Sequence, residues 1–407
     1  MTALLNLWEK DTYIHTPEEV ITALTEINRL FINNNIDEAF VLCAKALESY
    51  PRNRDVLIRM ASLYDAKRDY RNSIIIHLRM MRLFPNGTNL SVHLGIVMKK
   101  HGWYRFGINR SLHWMKSVNQ SLTDLHHYPS FWMGEALTHK SIRIHADRGY
   151  GDLIHFFPVI FDLLEREKAI VHLHARKPIR TLFEGSYQHP NLFYYEDSSE
   201  LPHTDYFSTY ISAFYAFFLK KNQKWAEIDW PIDYLHPSQT YLTKWSHLLT
   251  KTNKYKIGLC WAGSAEHEQD DIRSFPLDEL IPHLDSFQSH CDFYALGLRQ
   301  DDKWERINSK NIFHIHDLRK NIADFQDSAA FIKQLDCIIS VCTAEAHLAG
   351  ALGVKTILCL SYDHCWRWPK TEEKSHFYPS IEIIRQEQYG NWKSVFTKIK
   401  NKLTLLR

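Results

Sequence analysis

The stretch CIISVCTAEAHLAGALGVKTILCLS, Cys337 to Ser361, decides the fold class. Cys337–Val341 is a short apolar run of the kind that forms a fully buried strand. Cys342 and Thr343 make a tight turn, and the small-residue segment from Thr343 to Gly353 has the length and composition of a helix. Lys355–Ser361 is a second apolar run. Strand, helix and strand in immediate succession form a crossover unit, whose two strands lie parallel in one sheet with a right-handed connection.

The alternation extends in both directions. Upstream, YKIGLCWAG (255–263) reads as strand and loop, PLDELIPHLDSF (276–287) as a helix, CDFYALGL (291–298) and NIFHIHD (311–317) as strands, and DSAAFIKQLD (327–336) as a helix. Downstream, NWKSVFTKIKNKLTLLR (391–407) is an amphipathic helix. A separate set begins at residue 141: the strand SIRIHAD, the loop RGYGD, one helix over LIHFFPVIFDLLER, the strand AIVHLHA, the helix KPIRTLFEGS and the strand NLFYYE. Two such sets predict two doubly wound domains, with ligands at the carboxyl ends of the strands in the cleft between them. Residues 200–255 are aromatic-rich and mixed, and Pro231 and Pro237 flank the crossing between domains.

The first third of the chain repeats. Ile36, Tyr70 and Tyr104 are spaced by 34 residues, as are the small residues Ala39, Ser73 and Gly107; Pro51 and Pro85 keep the same interval, as do Ala61 and Gly95. Small residues let paired helices approach, and a proline disfavours helix at the residue before it. The period and these positions resemble tetratricopeptide repeats over residues 17–118, with a departure at Ile27. An irregular helical bundle is the alternative.

Bulk properties exclude several classes. A net charge of +2 over 407 residues gives no global attraction to nucleic acid or anionic membrane. MTALLNLWEKDTYIH lacks a basic n-region and a long apolar core, so it does not read as a signal peptide. No run reaches the roughly 18 apolar residues of a membrane span. Seven cysteines with no CxxC pair read as reduced thiols in a cytoplasmic protein. Cys337, Cys342, Cys359 and Cys365 have spacings too loose for an ordinary zinc site, so no metal is expected.

Four blocks carry a family resemblance: FWMGEALTHKSIRIHADRGYGDLIHFFPVI, GLCWAGSAEHEQDDIRSFPLDELIPHL, DSAAFIKQLDCIISVCTAEAHLAGALGVKTILCLSYDHCWRW and FYPSIEIIRQEQYGNW. In this order they resemble bacterial tetratricopeptide-repeat glycosyltransferases, which are similar to glycosyltransferase family 9, the heptosyltransferases, and more distantly to O-linked N-acetylglucosamine transferases. The resemblance implies a GT-B fold and metal-independent, inverting transfer of a hexosyl or heptosyl group, with no cofactor and a nucleotide-sugar as substrate. The implied layout is an α/β chain with an N-terminal all-α domain: TPR-like repeats over 1–130, an acceptor-side Rossmann-like domain over 131–240, and a donor-side Rossmann-like domain over 241–407 with a returning C-terminal helix. The acceptor is expected to be a protein or glycan, presented through the repeats.

Inverting transfer needs a base for the acceptor hydroxyl and stabilisation of the departing diphosphate. The resemblance makes Asp152, after the flexible acceptor-side loop of Gly149 and Gly151, the base; by residue type alone it can equally cap the helix it opens. Arg273 suits a diphosphate, or an internal ion pair with Asp270 or Asp271. The turn at Thr343 and Ala344 offers helix N-terminal amides to the donor phosphates. His347 either reaches phosphate or ribose or packs in the core. Trp366 and Arg367 either stack on the donor and bind phosphate or simply pack. Family members carry aspartate where Cys342 stands and often AEQG where Ala146–Gly149 reads ADRG. Loss of that carboxylate leaves a second reading open, a catalytically degenerate binding or scaffold protein. A nucleophilic Cys342 would need a paired base that the sequence does not assign.

Overall fold

The computed structural model describes residues 17–85, 88–123, 129–249, 251–267, 270–297 and 313–405. The predicted N-terminal stretch and the first two residues of the strand predicted at 311–317 lie outside these. The chain forms two compact units. One gathers residues up to Val118 with Tyr362–Lys370 and Glu387–Gly390; the other takes the rest.

Among the described residues the first unit has six helices: α1 (Glu18–Ile32), α2 (Ile36–Ser49), α3 (Arg54–Ala66), α4 (Tyr70–Leu83), α5 (Thr88–Lys100) and α6 (Tyr104–Thr123). The 34-residue period of the sequence is the spacing of the helix starts, at Ile36, Tyr70 and Tyr104 and again at Arg54 and Thr88. Asn53 caps α3 by accepting from the Asp55 and Val56 amides at 3.0 and 3.1 Å, and Asp69 caps α4. Pro51 and Pro85 each stand two residues past a helix end. The small residues do what the repeat requires: a Cβ on Gly107 would lie 2.5 Å from the Gly95 carbonyl oxygen, so α5 and α6 cross backbone to backbone. Ile27, the departure in the first repeat, is fully buried with Val20, Ala39 and Ala61.

The second unit opens with β1 (Ser130–Phe131), β2 (Ser141–His145), α7 (Tyr150–Phe156), α8 (Val159–Glu165), β3 (Ile170–His174), α9 (Lys177–Ser186), β4 (Leu192–Tyr195), β5 (Tyr206–Thr209), α10 (Tyr210–Lys221) and α11 (Gln239–Leu248). It continues through β6 (Tyr255–Cys260), α12 (Asp270–Arg273), α13 (Leu277–Leu284), β7 (Cys291–Ala295), β8 (Ile315–His316) and α14 (Phe325–Lys333). It closes with β9 (Cys337–Val341), α15 (Ala344–Ala351), β10 (Thr356–Leu360), β11 (Ile381–Arg385) and α16 (Lys393–Thr404). Two sheets result, in the orders β1-β5-β2-β3-β4 and β11-β10-β9-β6-β7-β8. Every strand pair is parallel. β9 and β10 are buried along their whole length, as expected for strands covered on both faces. The C-terminal α16 buries Val395, Phe396, Ile399 and Leu403 in the core of the second sheet.

Several details differ from the sequence reading: α7 begins at Tyr150, inside the loop predicted over 148–152, and β1, α12 and β11 have no counterpart in it. The helix predicted over 153–166 is broken into α7 and α8 at Pro158, which lacks an N–H and restricts Phe157. The mixed segment contains β5 and α10, which meet at Thr209 and Tyr210 with no glycine or proline between them. The Thr209 hydroxyl accepts from the Ser212 amide at 3.2 Å and starts α10.

Candidate active site

In each sheet the strand order reverses once. In the first the chain steps from β2 outward to β3 and β4, then returns to β5 on the other side of β2; in the second the reversal falls between β6 and β9. Such switch points open a crevice at the carboxyl ends of the two central strands. The residues that follow β2 include Asp147, Gly149, Gly151 and Asp152, and those that follow β9 are Cys342 and Thr343.

The turn after β9 is anchored from beneath. The Thr343 hydroxyl does not cap α15; it lies 3.3 Å from Ser340 Oγ and 3.5 Å from Cys260 Sγ, turned back into the sheet. That leaves the first amides of α15 outside any bond from the Thr343 side chain, at the positive end of the helix. Arg273 crosses the same turn. Its Nε donates to Asp270 Oδ1 at 3.1 Å, one terminal nitrogen to the Cys342 carbonyl at 3.3 Å and the other to the Ser264 carbonyl at 3.3 Å. The ion-pair alternative for Arg273 is the one seen, with Asp270 as its partner, and the same guanidinium also reaches the turn after β9 through the Cys342 carbonyl. The guanidinium lies on Gly263, where a Cβ would sit 2.0 Å from a terminal nitrogen. Glu345, in the first turn of α15, points a carboxylate oxygen to 3.9 Å from Cys260 Sγ.

The loop after β2 meets this turn. Gly149, not Asp152, is the N-cap of α7, and the Gly149 carbonyl accepts from the Asp152 amide at 3.0 Å. Asp152 is thus in the first turn of the helix, half-buried, and does not serve as its cap. A Cβ on Gly151 would lie 3.1 Å from His347 Cδ2 and 3.4 Å from the Ala344 Cα. The loop after β2 and the turn after β9 are in contact through this glycine. His347 is buried, with Nδ1 3.2 Å from the Tyr378 hydroxyl, so its ring packs as the core alternative requires. The same hydroxyl lies 2.9 Å from His155 Nδ1 on α7.

Asp147 is a carboxylate that the sequence reading noted only as a departure. Its side chain keeps 28% exposure and pairs with Arg148 at 3.5 Å. Desolvation raises its pKa above the usual carboxylate value and the Asp152 charge adds to the rise, against Arg148 and a hydrogen bond with Thr209. Two carboxyl groups within electrostatic reach of each other therefore lie in the segment that follows β2. No periodicity marks such a pair; the signal was the second acid five residues before Asp152 in ADRGYGD.

Trp366 and Arg367 belong to the helical unit. Trp366 is buried there with the Lys99 ammonium 4.3 Å from its ring centroid, and Arg367 donates to Cys365 Sγ at 2.8 Å. Among the described residues no group of three or more histidines, cysteines or acids is placed to hold a metal ion. Burial pushes the Cys337 thiol up to about 12 and raises Cys359 as well, so both are neutral core groups. No described helix is long and apolar enough to cross a membrane.

Two doubly wound parallel sheets following a helical repeat unit make this a GT-B-like α/β protein with TPR-like repeats. No protein-family model matches the chain, and no curated protein matches it. Among solved structures it is similar to the ADP-heptose LPS heptosyltransferase II of E. coli, at 13% identity over 66% of this chain and 98% of that one, with a TM-score of 0.44. A glycosyl transferase family 9 protein from Veillonella parvula is similar at 11% identity over 67% and 91%, TM-score 0.44. An O-GlcNAc transferase variant from Thermobaculum terrenum is similar at 11% identity over 86% and 85%, TM-score 0.30.

Proposed function

We propose that the protein is an inverting glycosyltransferase that moves a sugar from a nucleotide-sugar to an acceptor hydroxyl on a protein or glycan. The observation that carries this reading is the contact of Gly151 with Ala344 and His347, which brings an aspartate-bearing loop against a helix N-terminus braced by an arginine. In this reading Asp152 takes the proton of the acceptor hydroxyl as it attacks the anomeric carbon from the face opposite the diphosphate. Arg273 and the amides at Thr343 and Ala344 receive the negative charge that grows on the leaving diphosphate. The chemistry needs no metal, since a guanidinium and helix amides supply the positive field. Cys342 contributes its carbonyl to Arg273, and that contact does not depend on the side chain that replaces the family carboxylate.

The test is transfer and hydrolysis over a panel of nucleotide-sugars, comparing wild type with Asp152→Asn. Loss of a catalytic base is expected to lower kcat by about 100-fold or more, and full activity in the variant removes Asp152 from the role. Calorimetry with UDP, GDP and ADP identifies the donor nucleotide. Binding without any turnover supports the degenerate alternative, and no binding of any nucleotide overturns the enzyme reading.

A further inference from the structure

Tyr378 is the second residue of the last of the four blocks, where the sequence reading gave it no role, and its hydroxyl lies between His155 and His347. It is 1% exposed, and its ring lies flat on Gly350 of α15, where a Cβ would meet the ring Cγ at 2.6 Å. Its backbone is pinned: the Tyr378 amide donates to Ser375 Oγ at 3.2 Å, and its carbonyl accepts from the Ile381 amide at 3.0 Å. The hydroxyl is 2.9 Å from His155 Nδ1, 3.2 Å from His347 Nδ1 and 3.5 Å from the Tyr234 hydroxyl. Tyr234 in turn donates to the Ile154 carbonyl at 2.9 Å, within α7. The two imidazoles, on α7 and α15, stand 5.1 Å apart and are both buried.

The donors can be counted. A phenol has one hydrogen and can give it to only one of two imidazole Nδ1 atoms. If it gives that hydrogen to one ring, the other must donate to the phenol oxygen; if it gives it to neither, both must donate. At least one histidine therefore carries its hydrogen on Nδ1, which a phenylalanine at 378 would no longer require. We propose that Tyr378 is a positioning residue whose hydroxyl ties the helix bearing Asp152 to the helix of the donor turn. The roles of Asp152 and the turn rest on the function proposed above; the tie between α7 and α15 does not. Buried hydrogen bonds of this kind hold geometry because the alternative is an unsatisfied polar group.

Tyr378→Phe keeps the ring on Gly350 and removes only the shared oxygen. The variant is expected to fold, with histidine ring-nitrogen resonances of both His155 and His347 shifted and amide exchange faster in both α7 and α15. Its kcat, taken per folded enzyme, should fall about tenfold while the donor KM stays within about twofold; normalising to the folded fraction separates this from a general loss of stability. Unmoved resonances of either histidine, faster exchange in only one helix or neither, or an unchanged kcat in an active enzyme overturns the proposal. Should wild type transfer no sugar from any donor, the function proposed above falls, and the resonances and exchange decide this inference alone. If Tyr378→Phe fails to fold, His155→Gln provides the same readouts at His347 and α15, with the same outcomes for and against.

Discussion

Gly263 has room for Arg273 only because it lacks a side chain. A methyl there would overlap the guanidinium, which is the far end of a flexible chain, so the arginine would swing away and the backbone would stay. Gly263→Ala is therefore expected to lower the thermal midpoint, since Arg273 leaves the buried Asp270, and to weaken nucleotide binding by roughly tenfold or more, the worth of a charge-assisted pair. Unchanged affinity by calorimetry would show that Arg273 does not face the donor. Cys342→Asp is expected to leave the arginine in place, since the contact is to the carbonyl. At this scale the sequence was partly legible. The residue types at 152, 273 and 343 announced acid, cation and helix start. What it could not show is that Arg273 meets Asp270 and the Cys342 carbonyl together, or that His347 turns toward Tyr378, because both depend on which distant backbone lies alongside.

Among the elements, the crossing of α5 and α6 is the most exacting. Gly107→Ala would place a methyl 2.5 Å from a carbonyl oxygen that cannot rotate aside, so the helices must separate. A loss of about 1–3 kcal/mol is expected from such overpacking, read as a lower denaturant midpoint; an unchanged midpoint would mean the crossing is looser than described. The repeat period made this crossing readable in advance, since small residues recur in phase. Other elements were hidden for the opposite reason. β5 and α10 share one aromatic run with no punctuating residue, and the two-residue β1 is too short to show any period. Pro158 was visible, but the apolar pattern on either side of it continued in phase and read as one helix.

At the scale of the whole molecule, the repeat unit is completed by segments from the far end of the chain. Lys100 Nζ lies 2.8 and 2.7 Å from the two carboxylate oxygens of Asp363, and the Tyr70 hydroxyl donates to the same carboxylate at 3.1 Å. Asn34 donates to the Tyr389 carbonyl at 2.9 Å, and Arg68 lies over the Tyr362 ring. Lys100→Met would leave the buried Asp363 carboxylate without the Lys100 cation, with the Tyr70 hydroxyl still donating to it, and is expected to cost about 3–5 kcal/mol, measured by denaturant unfolding. Asp65 adds a pH signature. Burial pushes its carboxyl up from 3.8 to about 6, with Lys100 pulling it down and Asp363 raising it further. The unfolded chain therefore loses this proton first, and its contribution to stability falls as pH rises from about 4 through about 6, by on the order of 3 kcal/mol. Relative to wild type, Asp65→Asn should gain nothing below about pH 4 and gain progressively up to neutrality; a difference that does not change with pH would refute this. No local pattern marks these pairings, whose partners are separated by hundreds of residues.

The same discontinuity sets an order of events during synthesis. The six repeat helices leave the ribosome early, but residues 362–370 and 387–390, which complete their unit, follow only when the α/β sheets have been translated. At ordinary elongation rates that interval is on the order of tens of seconds. Throughout it the nascent repeats hold Lys100 without Asp363 and Lys99 without Trp366, in a form the finished protein never presents.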